Sequence, residues 1–432
     1  MALFTLGAFC ITLIGCIFLK FSIVYALLIG FCIFCAYGLW AGYSFRSLMK
    51  MAFSGIITVR VILIMFVLIG MMTALWRASG TIPIIIYYSS KLVQPSILIL
   101  VVFLLNCLVS LLMGTAFGTA ATMGVITMAI ANTMGLNPVL VGGAVVSGVF
   151  FGDRCSPIST SALLVATITH TNIFDNIKRM FRTAAVPFIL SCVAYYLMGY
   201  FGSPTETHAA SIDIKGLFSA SFNLHWVALL PAIAIFLLSI FRVKVRMSMS
   251  ISIVIAIFVC IFLQGIDIAA MPRLMFWGFY ATDAELAKML NGGGVISMVR
   301  TMAIICISSS YAGIFKGVNL LASLKGIVEA LSQRITPFGG LICTSIFTSM
   351  IACNQTLAIL LTHQLYDKNN NQEFAIDLEN TVVLIAALIP WSIAAGVPLA
   401  TVGAPASALL AACFLYIVPI YIFIVKLVKR KE

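Results

Sequence analysis

Charge is what this sequence has least of. Asp, Glu, Lys and Arg together make up 9% of its 432 residues, against 62% hydrophobic residues and a mean hydropathy of +1.15. Soluble domains carry roughly a quarter charged residues, so an ordinary soluble fold is excluded. Histidine is scarce, with 4 in the chain, and no HExxH zinc motif occurs. An intramembrane aspartyl enzyme needs a second carboxylate within Gly-x-Gly-Asp, and Phe150 stands where the first glycine belongs. The chain is therefore not expected to be an enzyme. No basic leader precedes the apolar run Leu3 to Phe18, which another span follows at once, so a membrane segment is expected there and not a cleaved signal. No extended basic face exists either: the net charge of +12 comes from residues set singly or in short groups at span ends. That pattern excludes nucleic acid as a partner and suits positive residues flanking spans on the cytoplasmic side.

What is present is apolar sequence in stretches of about 20 residues, recurring along the whole length. The 12 cysteines sit mostly inside those stretches, where cysteine behaves as a small hydrophobe. Cys32 and Cys35 form a CxxC without a second pair or nearby histidines, which argues against a metal or redox role. No cofactor is expected beyond coupling ions.

Five blocks follow from the spacing of spans and polar breaks. Residues 1–60 hold N-terminal spans and a basic interfacial stretch, Ser44–Arg60. Residues 61–201 form a first repeat around a broken-helix region, with Trp76 and Arg77 read as interface anchors. Residues 202–247 hold a polar loop, a span and a basic turn at Arg242, Lys244 and Arg246. Residues 248–425 form a second repeat, in which Lys316–Thr336 reads as an amphipathic interfacial stretch, and 426–432 are a basic tail placed in the cytoplasm by the charge rule. TSALLVA at Thr160–Ala166 is echoed by ASALLAA at Ala406–Ala412 roughly 240 residues later, the weak internal symmetry of a transporter repeat.

Chemistry concentrates between Gly114 and Asn176, where helix formers alternate with Gly, Thr, Ser and Pro. Broken backbone and hydroxyls at bilayer depth are tolerated only where they line a cavity or lie buried in protein. Secondary transporters place their ion and substrate sites on such discontinuous helices. Asp153 is the one carboxylate in an apolar neighbourhood, and an intramembrane carboxylate is functional or paired by default; the bland alternative is a helix end paired with Arg154. Ser156, Ser159, Thr160 and Ser161 follow it, and Pro157 breaks the helix and frees carbonyl oxygens. Asp153, Ser156, Ser159 and Thr160 are the expected ion-binding set, with Asp153 and Ser156 as Na+ ligands. Thr115, Thr119 and Thr122 share one side of the preceding segment and, with Asn354, Gln355 and Thr356 of the second half, are expected to line the substrate path. Gly114 with Gly118, and Gly148 with Gly152, form GxxxG pairs read as packing alone. Asp377 and Glu379 are explained by a solvated loop beginning DKNNNQE.

At GTAFGTAATMGV, FFGDRCSPIS, NIFDNIKRM and the late IPW, the sequence resembles the NhaC family of sodium/proton antiporters, from about Phe66 to Pro405. Asp153, Ser156, Pro157 and Ser159 match the family's GDxxSPxS. The resemblance implies an all-α multi-pass membrane protein of two inverted repeats, each with a broken helix and a re-entrant element; about 10–12 transmembrane helices are expected at this length. Family members exchange Na+ for H+, and some couple these ions to organic acids or amino acids. The family usually continues with Asp-Thr-Thr where this chain has Thr160 and Ser161, and often has Glu-Asp where this chain has Glu379 and Asn380. Two carboxylates are thus neutral here. The expectation is an ion-coupled secondary active transporter of Na+ and/or H+ with Asp153 as its coupling group. The alternative is a Na+- or H+-coupled carrier of a small organic solute such as an amino acid or carboxylate, which the missing carboxylates favour. The partners expected are the lipid bilayer, small ions and, on the alternative, that solute; a homodimer is left open. The expected location is the cell membrane, a prokaryotic inner membrane with the C-terminus in the cytoplasm.

Overall fold

The computed structural model describes residues 2–18, 23–92, 94–202, 218–219, 221–241, 243–283, 286–287, 290–318, 336–366 and 371–429. Among them every extended element is a helix, and the β structure is an antiparallel bridge between Phe279 and Gly292. Among the described residues, seven helices are long and apolar enough to cross a bilayer, eight if the bent pair Gln372–Leu388 and Ile393–Val402 is one span. Four shorter apolar helices accompany them, Val24–Trp40, Trp226–Leu238, Pro337–Ala352 and Cys413–Val428, and the higher number expected from the sequence depends on counting these. The chain is an all-α multi-pass membrane protein.

Its helices are built for lipid on the outside. Along Pro95–Met113, Asn106 and Ser110 stand at i and i+4 and are buried, while Leu104, Leu108 and Leu112 point outward. Lipid tails are as apolar as leucine, so hydrophobicity does not hold such helices together; close backbone contact and interior hydrogen bonds do. Gly148 and Gly152 show how. A Cβ on Gly152 would stand 2.2 Å from the Ser110 carbonyl carbon, and one on Gly148 2.6 Å from the Asn106 Cβ. The glycines of that GxxxG pair therefore set the distance between Pro138–Cys155 and Pro95–Met113. Phe45–Thr58 uses the same device, with Gly55 pressed on Ser309 and Gly313 of Gly294–Val318.

A repeated order of elements is visible across the two halves. Pro95–Met113 and Pro337–Ala352 each begin with proline in the first turn and end on a left-handed residue, Gly114 or Cys353. A second helix follows each, Ala116–Thr133 or Gln355–Tyr366, and then a third, Pro138–Cys155 or Gln372–Leu388, capped by Asn137 or Asn371. The third helix breaks at SPIS, residues 156–159, or at IPWS, residues 389–392. Both breaks end on a serine that caps the next helix: Ser159 for Thr160–Ile168 and Ser392 for Ile393–Val402. In the second half the Cys353 carbonyl accepts from the Ile393 N–H at 2.8 Å. In the first half Gly114 packs on Ile158 and Ser159, so that a Cβ there would meet the Ser159 nitrogen at 3.0 Å. The sequence echo at Ala406–Ala412 is displaced from this register: it forms a 3-10 helix, while the counterpart of Thr160–Ile168 is Ile393–Val402.

Three sequence expectations meet a different result or fall outside view. Trp76 is not an interface anchor: it is fully buried and its indole donates to Ser252 Oγ at 2.9 Å, because Ser252 offers an acceptor in the core. Asp377 and Glu379 do not lie in a solvated loop; both belong to the Gln372–Asn380 helix, and Glu379 is fully buried. Most of the polar loop after Gly202, most of Lys316–Thr336, and residues 430–432 of the tail lie outside the described residues.

Candidate functional site

Asp153 stands in the last turn of Pro138–Cys155, and the break that follows it makes the site. Ser156 is extended, with φ −92° and ψ 136°, and Pro157 cannot supply an N–H to continue the helix. The chain turns and restarts at Ser159, whose hydroxyl caps the new helix by accepting from the Ala162 N–H at 3.4 Å. This short excursion returns to the carboxylate two hydroxyls from six and eight residues further along the chain. Ser159 Oγ donates to Asp153 Oδ1 at 3.1 Å and Ser161 Oγ to Oδ2 at 2.9 Å, while the two hydroxyls stand 2.8 Å apart.

The other half of the molecule supplies a third donor. Gln355 Nε2 reaches Asp153 Oδ2 at 3.1 Å and the Val383 carbonyl at 2.9 Å. Gln355 opens a helix, Ser161 lies in the first turn of another, and Ala116, which opens a third, has its backbone within hydrogen-bonding reach of the carboxylate. Helix starts carry unpaired N–H groups and a partial positive charge. Three such ends converge on a side chain that is 4% exposed. A buried charge without partners would cost several kcal/mol, and these ends are the reason a carboxylate is tolerated there.

Arg154, its neighbour, does not pair with it. The guanidinium is fully buried and points the other way: Nη2 to Asn380 Oδ1 at 2.6 Å and Thr183 Oγ1 at 2.8 Å, and Nη1 to the Met180 carbonyl at 3.2 Å. Glu379 lies within electrostatic reach of both Arg154 and Asp153, yet neither of its oxygens has a hydrogen-bond partner. Asn380 and Thr183 also line a cavity of about 900 Å3, whose walls include Arg179, Arg182, Glu373, Asp377 and Lys426. Lys426 is bound to Asp377 at 2.6 Å and to Glu373 at 3.0 Å.

The structure brings Asp153, Ser159 and Gln355 together out of the residues named from the sequence. Ser156 is buried but donates to the Leu111 carbonyl at 2.8 Å, toward the neighbouring helix. Thr160 is exposed, and Ser161 occupies the place beside Asp153 instead, because the first turn after the break rotates Thr160 outward. Thr119 and Thr122 are buried and donate to their own helix, to the Thr115 and Gly118 carbonyls at 2.9 Å each, beside a π-helical turn at Ala120–Gly124. Thr115 is half-buried and caps that helix. Asn354 is half-buried and its side chain accepts from the Thr356 N–H at 2.9 Å, while Thr356 itself is exposed. Glu379 was missed because the polar run ahead of it masks the helix that buries it. Its signal was Ala375 and Ile376, four and three residues before it, which lie on the same side of the helix as Glu379 and are buried.

The Na+/H+ antiporter family model matches residues 1–172 and 148–428, so the two matches overlap on the segment that carries Asp153. The Na+/H+ antiporter NhaC of Bacillus subtilis (strain 168) is 30% identical over 411 residues, covering 91% of this chain and 90% of its own length. The malate-2H+/Na+-lactate antiporter of the same organism is 25% identical over 390 residues, 87% of this chain and 82% of that protein. The arginine/ornithine antiporter ArcD of Halobacterium salinarum is 24% identical over 347 residues, 77% of this chain and 70% of its own. With a broken-helix carboxylate site and matches that run the length of the chain, this protein belongs to the Na+/H+ antiporter family, in which NhaC is its relative at 30% identity.

Proposed function

We propose that this chain is an ion-coupled secondary active transporter that moves Na+ and/or H+ by alternating access, with Asp153 as the coupling carboxylate. The observation that carries the reading is the bond between Asp153 and Gln355, which ties the broken helix of one half to a helix start of the other. An ion shifts a conformational equilibrium only through different contacts in the two states. A proton or a sodium ion on Asp153 takes over an oxygen that Gln355 now holds, so loading the site loosens the tie between the halves. Unloading restores it. Sodium takes hard oxygen ligands at unwound backbone in transporters, and Ser159, Ser161 and the Asp153 carbonyl, which accepts from Ser161 at 3.0 Å, offer them once the hydroxyls turn their protons away from the carboxylate. Ser156 and Thr160 join that set only if the segment after Pro157 turns.

The second reading, a Na+- or H+-coupled carrier of a small organic solute, is favoured by the cavity of about 900 Å3 with Arg179, Arg182 and Asn380 on its walls. Its size exceeds the needs of a bare ion, and two of the relatives bear the names of organic-solute antiporters. Lys426, near the C-terminus, shares this cavity with Arg179 and Arg182, so all three lie on one side of the protein. The positive-inside rule puts that side in the cytoplasm of a prokaryotic cell membrane. Everted vesicles separate the readings. Collapse of a pH gradient on adding Na+ alone supports cation exchange; collapse only when an organic acid or amino acid is also present supports the carrier; no response to either overturns both.

A further inference from the structure

We infer that the cavity walled by Arg179, Arg182 and Asn380 holds the headgroup of an anionic phospholipid, whose acyl chain lies along the outer face of Ile173–Gly202. The inference rests on neither transport reading, and such an occupant accounts for a cavity of about 900 Å3 without a transported solute. Depth in the bilayer is the first argument. Ile173–Gly202 has 30 residues, about 45 Å of helix at 1.5 Å per residue, whereas crossing the hydrocarbon core takes about 20 residues. Residues 183–202 carry no charge, so they fill that core and leave Arg179 and Arg182 at the level of the headgroups. Cys413–Lys429 packs on this helix and ends in the same way, with residues 413–425 uncharged and Lys426 the first charge beyond them. Both ends meet at the cavity, on the side that the positive-inside rule assigns to the cytoplasm.

The chemistry of the wall is the second argument. Lys426 is already held by Asp377 and Glu373. Arg179 and Arg182, three positions apart and so on one side of their helix, have no hydrogen bond or ion pair from their guanidinium groups among the described residues. Asn380 lines the same cavity at 1% exposure, and its Nδ2 has no partner. Buried polar atoms almost always find one. Two free guanidinium groups and an amide N–H are all donors, so their complement is an anion with several acceptor oxygens, and guanidinium groups match phosphate well. A tethered phosphate fits better than a free one because of what adjoins it. Arg182 heads a stripe of exposed apolar residues, Val186, Ile189 and Val193, at i+4, i+7 and i+11. An acyl chain anchored by its phosphate at Arg182 covers that stripe, and a free anion leaves it unused. Basic pockets between spans on the cytoplasmic side hold anionic headgroups in this way.

The test is native mass spectrometry of the full-length protein in detergent, with phosphatidylglycerol and phosphatidylcholine of the same acyl chains added in equal amounts. Each basic residue near a headgroup favours the anionic lipid, so phosphatidylglycerol is expected to be retained at least about tenfold more than phosphatidylcholine. Arg179→Gln with Arg182→Gln is expected to bring that ratio to within about threefold. Lys178→Gln removes the same charge from the same helix at an exposed position that does not line the cavity, and is expected to leave the ratio unchanged. If the double variant does not insert, the ratio in the unmodified protein and in Lys178→Gln decides. Equal retention of the two lipids overturns the inference, as does an equal loss of preference in Lys178→Gln and the double variant. Displacement of phosphatidylglycerol by an equal concentration of glycerol 1-phosphate or inorganic phosphate overturns it too, and makes the cavity a site for a soluble anion.

Discussion

Gln355 Nε2 stands 3.1 Å from Asp153 Oδ2, across 202 positions of sequence. The same amide hydrogen-bonds the Val383 carbonyl at 2.9 Å, so one side chain joins the first broken helix to two segments of the second half. On packing alone, Gln355 is a half-buried polar group with satisfied partners. It stands at the start of a helix, facing the sole carboxylate of the first break, and in the proposed mechanism it is the latch between ion occupancy and the arrangement of the halves.

Removing the latch has a definite sign. Sodium competes with Gln355 for Oδ2, so Gln355→Leu is expected to lower the half-saturating Na+ concentration by roughly tenfold, since a hydrogen bond to a charged group contributes about 1.5–3 kcal/mol. Turnover falls because the empty carrier loses the contact that draws the halves together. Na+-dependent proton flux in proteoliposomes, measured over a range of Na+, reads both. A rise in half-saturating Na+ would make Gln355 a sodium ligand instead of a competitor.

Ser161 and Thr160 are neighbours with opposite expectations. Ser161→Ala removes an oxygen proposed as a Na+ ligand, 2.9 Å from Asp153 Oδ2, and is expected to raise the half-saturating Na+ concentration about tenfold, or about 1.4 kcal/mol. Thr160 is exposed, and Thr160→Ala is expected to stay within about twofold, as surface changes usually do. Equal effects in the two variants would mean that the helix after the break turns during transport.

Gly152 sets a helix distance. A Cβ there would meet the Ser110 carbonyl carbon at 2.2 Å, so Gly152→Ala is expected to lower stability by about 1–3 kcal/mol, the usual range for overpacking. Gly396, also helical, has nothing within 4 Å of its would-be Cβ, so Gly396→Ala is expected to be neutral or slightly stabilising. Thermal unfolding of both variants in detergent compares them directly; an unchanged melting temperature for Gly152→Ala would show that the two helices can separate freely.

Much of this was legible in the chain. Low charge and recurrent apolar stretches identify the membrane fold, and a lone carboxylate ahead of Ser-Pro marks the first break. The phase of the helix after the break was not legible. Whether Thr160 or Ser161 faces Asp153 depends on the turn at Pro157, which spacing alone does not set. Glu379 was hidden for a related reason: the polar run before it looks like a loop, and only the packed helix reveals that its face turns inward. The repeat was visible as an offset, but its register came from the caps, with Ser159 and Ser392 in matching places, and not from the TSALLVA echo.

The most direct measurement is Na+-driven proton movement by Asp153→Asn in proteoliposomes, beside a check by circular dichroism and size exclusion that the variant is folded. Asparagine keeps the size of the side chain and its place among Ser159, Ser161 and Gln355, but cannot load or release a proton or carry the charge a cation needs. The expected result is a folded protein whose flux equals that of empty liposomes; flux at the unmodified level would contradict the role of Asp153 and move the coupling site elsewhere in the molecule.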